Sequence, residues 1–164
     1  MIECFEFITG ATDKVTHHLS LTFEQRQKSR GQAETKTGEN IGWFIERGHV
    51  LADGNVLVAK TGENIQISAA EETLSEVHSH DVLALTKAAY HLGNRHVPLQ
   101  IIDSYLHFQH DHVLDDMIRG LGLNVSCVEK PFHPESGAYH SHSGSGESSD
   151  EHGHHNHGHS HSHA

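Results

Sequence analysis

Apolar and polar residues alternate in short runs through the first 72 residues, and a helical period replaces them after residue 80. Trp43-Phe44-Ile45 forms one run, Val56-Leu57-Val58 another, and Ile65-Gln66-Ile67 a third. Ala52-Asp53-Gly54-Asn55 separates Val50-Leu51 from the second run, and Asp-Gly between two such runs predicts a β-hairpin. Thr61-Gly62-Glu63-Asn64 marks another turn. The same four residue types recur at Thr37-Gly38-Glu39-Asn40, again ahead of an apolar run, although the stretch is too short to count as a repeat. Residues 1–72 therefore read as an all-β domain.

The next stretch predicts the order βαββαβ. A first strand lies near residues 73–77. Asp81 can cap a helix running to Leu92, with Val82, Leu85, Ala89 and Leu92 on one face and Gly93 as its stop. Residues 97–102 and 105–108 read as strands around an Asp103-Ser104 turn. Asp111 can cap a second helix with the stripe Leu114, Met117, Ile118 and Leu121, ended by Gly120 and Gly122. Residues 123–129 alternate like a strand. Helices on one face of an antiparallel sheet make residues 73–139 a ferredoxin-like domain, and the whole chain α+β.

Residues 140–164 cannot build a core. They are almost all His, Ser, Gly, Asp and Glu, with no Lys or Arg after Lys130, and they read as a disordered tail. Of the chain's 164 residues 35% are apolar, which leaves a core of modest size for the rest. The formal charge of −11 argues against a nucleic-acid partner. No apolar window approaches the roughly 18 residues of a membrane span, and the N-terminus lacks a basic leader, so a cytoplasmic location is expected. Cys4 and Cys127 stand far apart, as reduced packing residues rather than a disulfide or thiolate zinc pair.

Histidine is the anomaly, at 20 residues. Imidazole suits nickel, copper and zinc, and at an ordinary pKa of about 6.5 it is mostly neutral and able to ligate near neutrality. The tail carries His140, His142, His152, His154, His155, His157, His159, His161 and His163. Alternating histidines on a flexible backbone can wrap an ion. Ordering the chain costs entropy, so such sites exchange quickly, which suits collection and hand-over. The irregular Gly, Ser and Asn interruptions differ from a purification tag. In the folded part, His96 follows the first helix, and His110 and His112 flank Asp111 at the start of the second. The bland reading of these two is a polar turn residue and a solvated first-turn residue. His96 alone is one ligand, which a two-fold dimer would double. His78 and His80 form a minor candidate. His91 reads as surface and His107 as a strand-face residue, while His17, His18 and His49 lack partners at ligand spacing. The basic residues Arg26, Lys28 and Arg30 read as a solvated strand face or as a docking patch for an acidic partner.

Three segments carry a family resemblance. They are Ala88-Ala89-Tyr90-His91-Leu92-Gly93-Asn94-Arg95-His96-Val97-Pro98-Leu99-Gln100-Ile101, then Asp111-His112-Val113-Leu114, then Pro131-Phe132-His133-Pro134-Glu135-Ser136-Gly137-Ala138-Tyr139-His140. With Arg26-Gln27-Lys28-Ser29-Arg30 and the Asp53-Gly54 turn, the chain resembles the urease accessory protein E family along essentially its whole length. That resemblance implies a peptide-binding-like N-terminal domain and a homodimer formed through the ferredoxin-like domains. It implies His96 as an interfacial Ni²⁺ ligand, His110 and His112 as peripheral metal sites, and tail histidines as extra sites that can also take Zn²⁺ or Cu²⁺. The implied partners are the urease accessory GTPase (accessory protein G) and the urease apoprotein.

Four functions compete on these residues. A nickel carrier predicts exchangeable histidine sites and no turnover. A histidine-rich nickel or zinc store predicts that the tail is the main site. An assembly adaptor predicts that metal is incidental. A metallohydrolase would need three fixed ligands, an open position and a general base, but the chain has no HExxH and no Ser-His-Asp or Cys-His arrangement. The carrier reading is preferred, with storage as its alternative and no enzymatic activity expected.

Overall fold

A computed structural model of the chain describes residues 1–10 and 12–137. It is a mixed α+β structure, mostly strands with a few helices, built on two sheets.

The first sheet contains β1 (Ile2–Ile8), β2 (His17–Leu21), β3 (Arg30–Glu34), β4 (Asn40–Phe44), β5 (Val56–Ala59) and β6 (Asn64–Ala69), in the order β2-β6-β5-β1-β4-β3. Its core follows from the two-residue period of a strand, which sends alternate side chains to one face. Leu19 and Leu21, Ile41 and Trp43, and Ile65 and Ile67 all point inward, around Cys4, Leu51 and Leu57. The Trp43 indole N–H finds a partner in the Lys28 carbonyl, 2.8 Å away. Burial, aided by the Glu63 carboxylate, pushes the Cys4 thiol up to about 11, so it stays protonated. Cys127 departs from expectation: it is exposed and packs in no core.

The recurring Thr-Gly-Glu-Asn stretches are one turn used twice. Gly38 and Gly62 sit at φ 93° and 94°, a region glycine enters freely. Around them the backbone bonding is the same. Thr35 N donates to Glu39 O and Gly38 N to Thr35 O, while Ala59 N donates to Glu63 O and Gly62 N to Ala59 O. In both, a Thr hydroxyl donates to the Glu carboxylate two residues on. The Asp53-Gly54 turn also forms, closed by Asn55 N donating to Ala52 O. Val50-Leu51 is not a strand, however. The Leu51 amide bonds the Arg26 carbonyl instead.

A short helix, α1 (Phe23–Arg26), interrupts what the sequence suggested was strand. Thr22 and Gln25 form a reciprocal capping box at its start. Arg26 accordingly turns inward and is only 3% exposed. Its guanidinium donates to the carbonyls of Leu51 and Phe132. That removes it from any surface patch with Lys28, which pairs with Glu24 at 3.0 Å, and with Arg30, which stays exposed.

The second sheet contains β7 (Glu71–His78), β8 (Gln100–Ile102), β9 (Tyr105–Gln109) and β10 (Val125–Pro131), antiparallel throughout, in the order β10-β7-β9-β8. Helices α2 (Val82–Asn94) and α3 (His112–Gly120) connect its strands in the order strand, helix, strand, strand, helix, strand. Val77, Leu106 and Phe108 face Leu85, Ala88, Leu92 and Ile118. Burying each large side chain of this set is worth about 1.5–3 kcal/mol. Val82 does not join them: at 76% exposed it stands outside the core, which Ala88 enters instead. Leu121, also expected inward, is exposed.

Ala70 alone separates β6 from β7, and its amide bonds the Leu21 carbonyl. The face of the second sheet away from its helices meets α1. There Phe132 and Leu74, both fully buried, pack with Phe23, and the two phenyl rings lie edge to face 5.4 Å apart. The Glu72 carboxylate accepts from the Phe23 amide at 2.7 Å.

Candidate metal site

His96 owes its position to how α2 ends. Asp81 caps the start, accepting from the amides of Leu83 and Ala84. The helix runs through Gly93, which therefore is not its stop. It closes at Arg95. The His96 amide donates to the Gly93 carbonyl at 3.0 Å and the Val97 amide to the Leu92 carbonyl at 3.3 Å. These two bonds define a Schellman turn, and Val97 and Leu92 meet in the core as such a turn requires. The residue at the His96 position must be left-handed, and glycine usually fills it. His96 takes it with φ 55°, at a cost of about 1 kcal/mol. Its side chain is exposed, at the negative end of the helix dipole, where a cation is favoured.

His110 and His112 lie at the same end of the sheet. Strand directions require this: α2 runs back along β7, so its end reaches the level where β8 begins and β9 finishes. The Asp111 carboxylate accepts from Val113 N at 2.8 Å and Leu114 N at 3.2 Å, capping α3. The Leu114 amide first, then that of Val113, holds its carboxyl below the ordinary range. The amide of His110 donates to the Thr73 carbonyl, and its Nδ1 lies 3.3 Å from Asp115 Oδ2. His112, the first helical residue, faces solvent.

The chain beyond β10 returns to this end as well. β10 is one edge strand and β8 the other, about 14 Å away at the usual strand spacing. A few extended residues can cover that distance. The His133 amide donates to the Gln100 side-chain oxygen at 3.0 Å, and Glu135 N to Leu99 O at 2.8 Å. The described residues thus stop beside the loop that follows His96. Sequence reasoning missed this path, and only the pattern of donors on the backbone reveals it. His140, His142, His152, His154, His155, His157, His159, His161 and His163 all lie outside the described residues.

Other histidines have plainer settings. His107, expected as a strand-face residue, is buried, with Nε2 at 2.7 Å from Glu76 Oε2. Lys130 Nζ reaches the same oxygen at 2.6 Å. The rings of His78 and His80 meet edge to face at 4.8 Å. Among the described residues, no three His, Cys, Asp or Glu side chains come together as a ready-made ion cage. None of the described helices is long and apolar enough to cross a membrane.

Two family models together span nearly the whole chain. One, described as UreE urease accessory protein, N-terminal domain, matches residues 5–70, and one described as UreE urease accessory protein, C-terminal domain, matches residues 72–163. The chain belongs to the UreE urease accessory protein family. Its relatives in that family include the urease accessory protein UreE of Teredinibacter turnerae, 51% identical over 141 residues, which cover 85% of this chain and 92% of the relative. The UreE of Saccharophagus degradans is 52% identical over 143 residues, covering 85% of each chain. That of Vibrio parahaemolyticus is 49% identical over 119 residues, 73% of this chain and 75% of the relative. A UreE protein is an accessory protein rather than an enzyme.

Proposed function

We propose that the chain is a cytoplasmic nickel metallochaperone that delivers Ni²⁺ to the urease apoprotein during metallocentre assembly. The observation that carries this is His96, an exposed imidazole kept in a left-handed backbone position that glycine would occupy at no cost. Strain retained at an exposed ligand-type side chain points to use of that side chain.

One imidazole holds Ni²⁺ weakly, so the site is completed by a second copy in a two-fold homodimer. The second sheet and its helices, residues 73–139, form the ferredoxin-like dimerising half, and residues 1–72 form the peptide-binding-like half. Apolar groups along α2 support this assignment. Leu83 and Tyr90 are exposed, and Val82, Ala89 and Ile101 line an open apolar cleft of about 500 Å³. A self-complementary interface would cover such groups and pair the two His96 rings.

The tail at residues 140–164 collects the ion. The path of residues 132–137 supports this, because it ends the described chain beside the loop that follows His96. His110 and His112 serve as a peripheral site, and Zn²⁺ or Cu²⁺ can occupy the same imidazoles. The cargo passes to the complex of the accessory GTPase (accessory protein G) with apo-urease. A nickel or zinc store is the second reading, favoured by the tail's histidine content alone.

Calorimetric Ni²⁺ titration of the full chain, of a truncation ending at Tyr139, and of that truncation with His96→Ala separates the two. The carrier reading expects truncation to leave one tight site at about half an ion per chain, as one ion shared across a two-fold axis requires, and expects His96→Ala to remove it. A truncated protein that binds no Ni²⁺ hands the function to the tail and to storage.

A further inference from the structure

His110 is held by two side chains that have no other partner among the described residues. Ser75, on β7, is fully buried, and Asp115, on α3, is 4% exposed. Ser75 Oγ lies 2.6 Å from Asp115 Oδ1 and 3.1 Å from His110 Nδ1. Asp115 Oδ2 lies 3.3 Å from the same Nδ1. Asp115 is not needed to cap its helix, because Asp111 does that.

The protons follow by elimination. A carboxylate only accepts, so the single hydroxyl proton of Ser75 goes to Asp115 Oδ1. Towards His110, Ser75 then presents lone pairs, as does Asp115 Oδ2. Facing two acceptors, Nδ1 carries the ring proton. A neutral imidazole has one N–H, so Nε2 keeps its lone pair. The His110 side chain is 42% exposed, so that nitrogen can meet solvent.

We infer that Ser75 and Asp115 are positioning residues that lock His110 in its Nδ1–H form and leave Nε2 as the nitrogen that binds a divalent transition-metal ion. The inference rests on His110 being a ligand and adds which atom binds and what prepares it. A carboxylate behind a ligating imidazole fixes the tautomer and raises the basicity of the free nitrogen. It also places negative charge near the N-terminus of α3, whose dipole otherwise opposes a bound cation.

The test is long-range ¹H–¹⁵N correlation on the full chain at about pH 8, above the ordinary imidazole range. The wild type should show a pyrrole-type Nδ1 and an imine-type Nε2 at His110. Asp115→Asn should return the ring to the Nε2–H form, and Ser75→Ala should weaken the preference. Ni²⁺ added to the same samples should broaden the His110 ring signal. The midpoint should rise roughly 10–100-fold in Asp115→Asn. A wild-type ring protonated at Nε2 overturns the inference without recourse to any variant. An unmoved midpoint in Asp115→Asn overturns the positioning role. A wild-type His110 signal untouched by Ni²⁺ overturns His110 as a ligand, and the tautomer result shows separately whether the hydrogen-bond assignment stands.

Discussion

The amide of Glu135 donates to the carbonyl of Leu99 at 2.8 Å, so the last described stretch of the chain is tied to the loop that carries His96. The neighbouring tie, from the His133 amide to the Gln100 side chain, can be cut by mutation. Gln100→Ala removes an interaction worth about 1 kcal/mol. Amide exchange at His133 and Glu135 is expected to speed up about fivefold, since 1.4 kcal/mol is tenfold. Exchange at Val77 and Phe108 should not change. Equal acceleration everywhere would mean that the segment is not a separate unit.

His96→Gly separates stability from binding. Glycine enters the left-handed region without the Cβ penalty, so the variant should be as stable as wild type or more stable by up to about 1 kcal/mol in urea unfolding. It should nevertheless lose the tight Ni²⁺ site in calorimetry. A destabilised His96→Gly would show that the side chain is held for packing.

Arg26 predicts the opposite pattern. Its guanidinium is buried and donates to the carbonyl of Leu51, in the core of the first sheet, and to that of Phe132, just past β10 of the second. Burial lowers its pKa, and the carboxylates of Glu72 and then Asp53 work against that. Arg26→Met leaves the carbonyls of Leu51 and Phe132 without their donor and should cost about 2–4 kcal/mol by denaturant unfolding. Arg26→Lys should recover little, because one ammonium cannot reproduce the fork. A loss under about 0.5 kcal/mol, the usual surface value, would contradict the clamp.

Glu76 sets a pH dependence. The hydrogen bond from Lys130, and next that from His107, hold its carboxyl below the ordinary glutamate value of 4.5. A carboxyl lowered by folding adds stability above its unfolded value and loses it as pH falls through the folded one. Stability should therefore decline below about pH 4.5. Lys130→Met should flatten that decline, by about 1 kcal/mol at most because Lys130 is half exposed. Urea midpoints at a series of pH values for both proteins measure it. Parallel curves would assign the acid loss to other carboxylates.

Where one residue's conformation decides the outcome, the sequence was readable. Asp81 and Asp111 announced both long helices, because a carboxylate ahead of an apolar period caps free amides. The glycine turn at Gly62 was legible for the same reason, and its echo at Gly38 proved to be the same turn. What escaped depends on more distant partners. Thr22 and Gln25 did spell a capping box, but the expectation of strand obscured it, and with it the inward turn of Arg26. Gly93 looked like a stop, yet an exposed helical glycine meets no neighbour and merely continues the helix. The left-handed turn at His96 was not announced by its residue type, because histidine enters that region more often than most side chains but far less often than glycine. His107 read as a strand-face residue, and its burial could not be foreseen because its partner Glu76 lies far away in sequence. Nor could spacing alone bring Ser75 and Asp115 to His110.

Ala70 is the whole connection between β6 and β7, and Phe132, Phe23 and Arg26 brace it from the side. A joint so short, braced in this way, narrows the range over which the two sheets can swivel. Whatever grips the first sheet therefore biases the bearing of the second, and the distance from that grip to His96 becomes a ruler built into the chain.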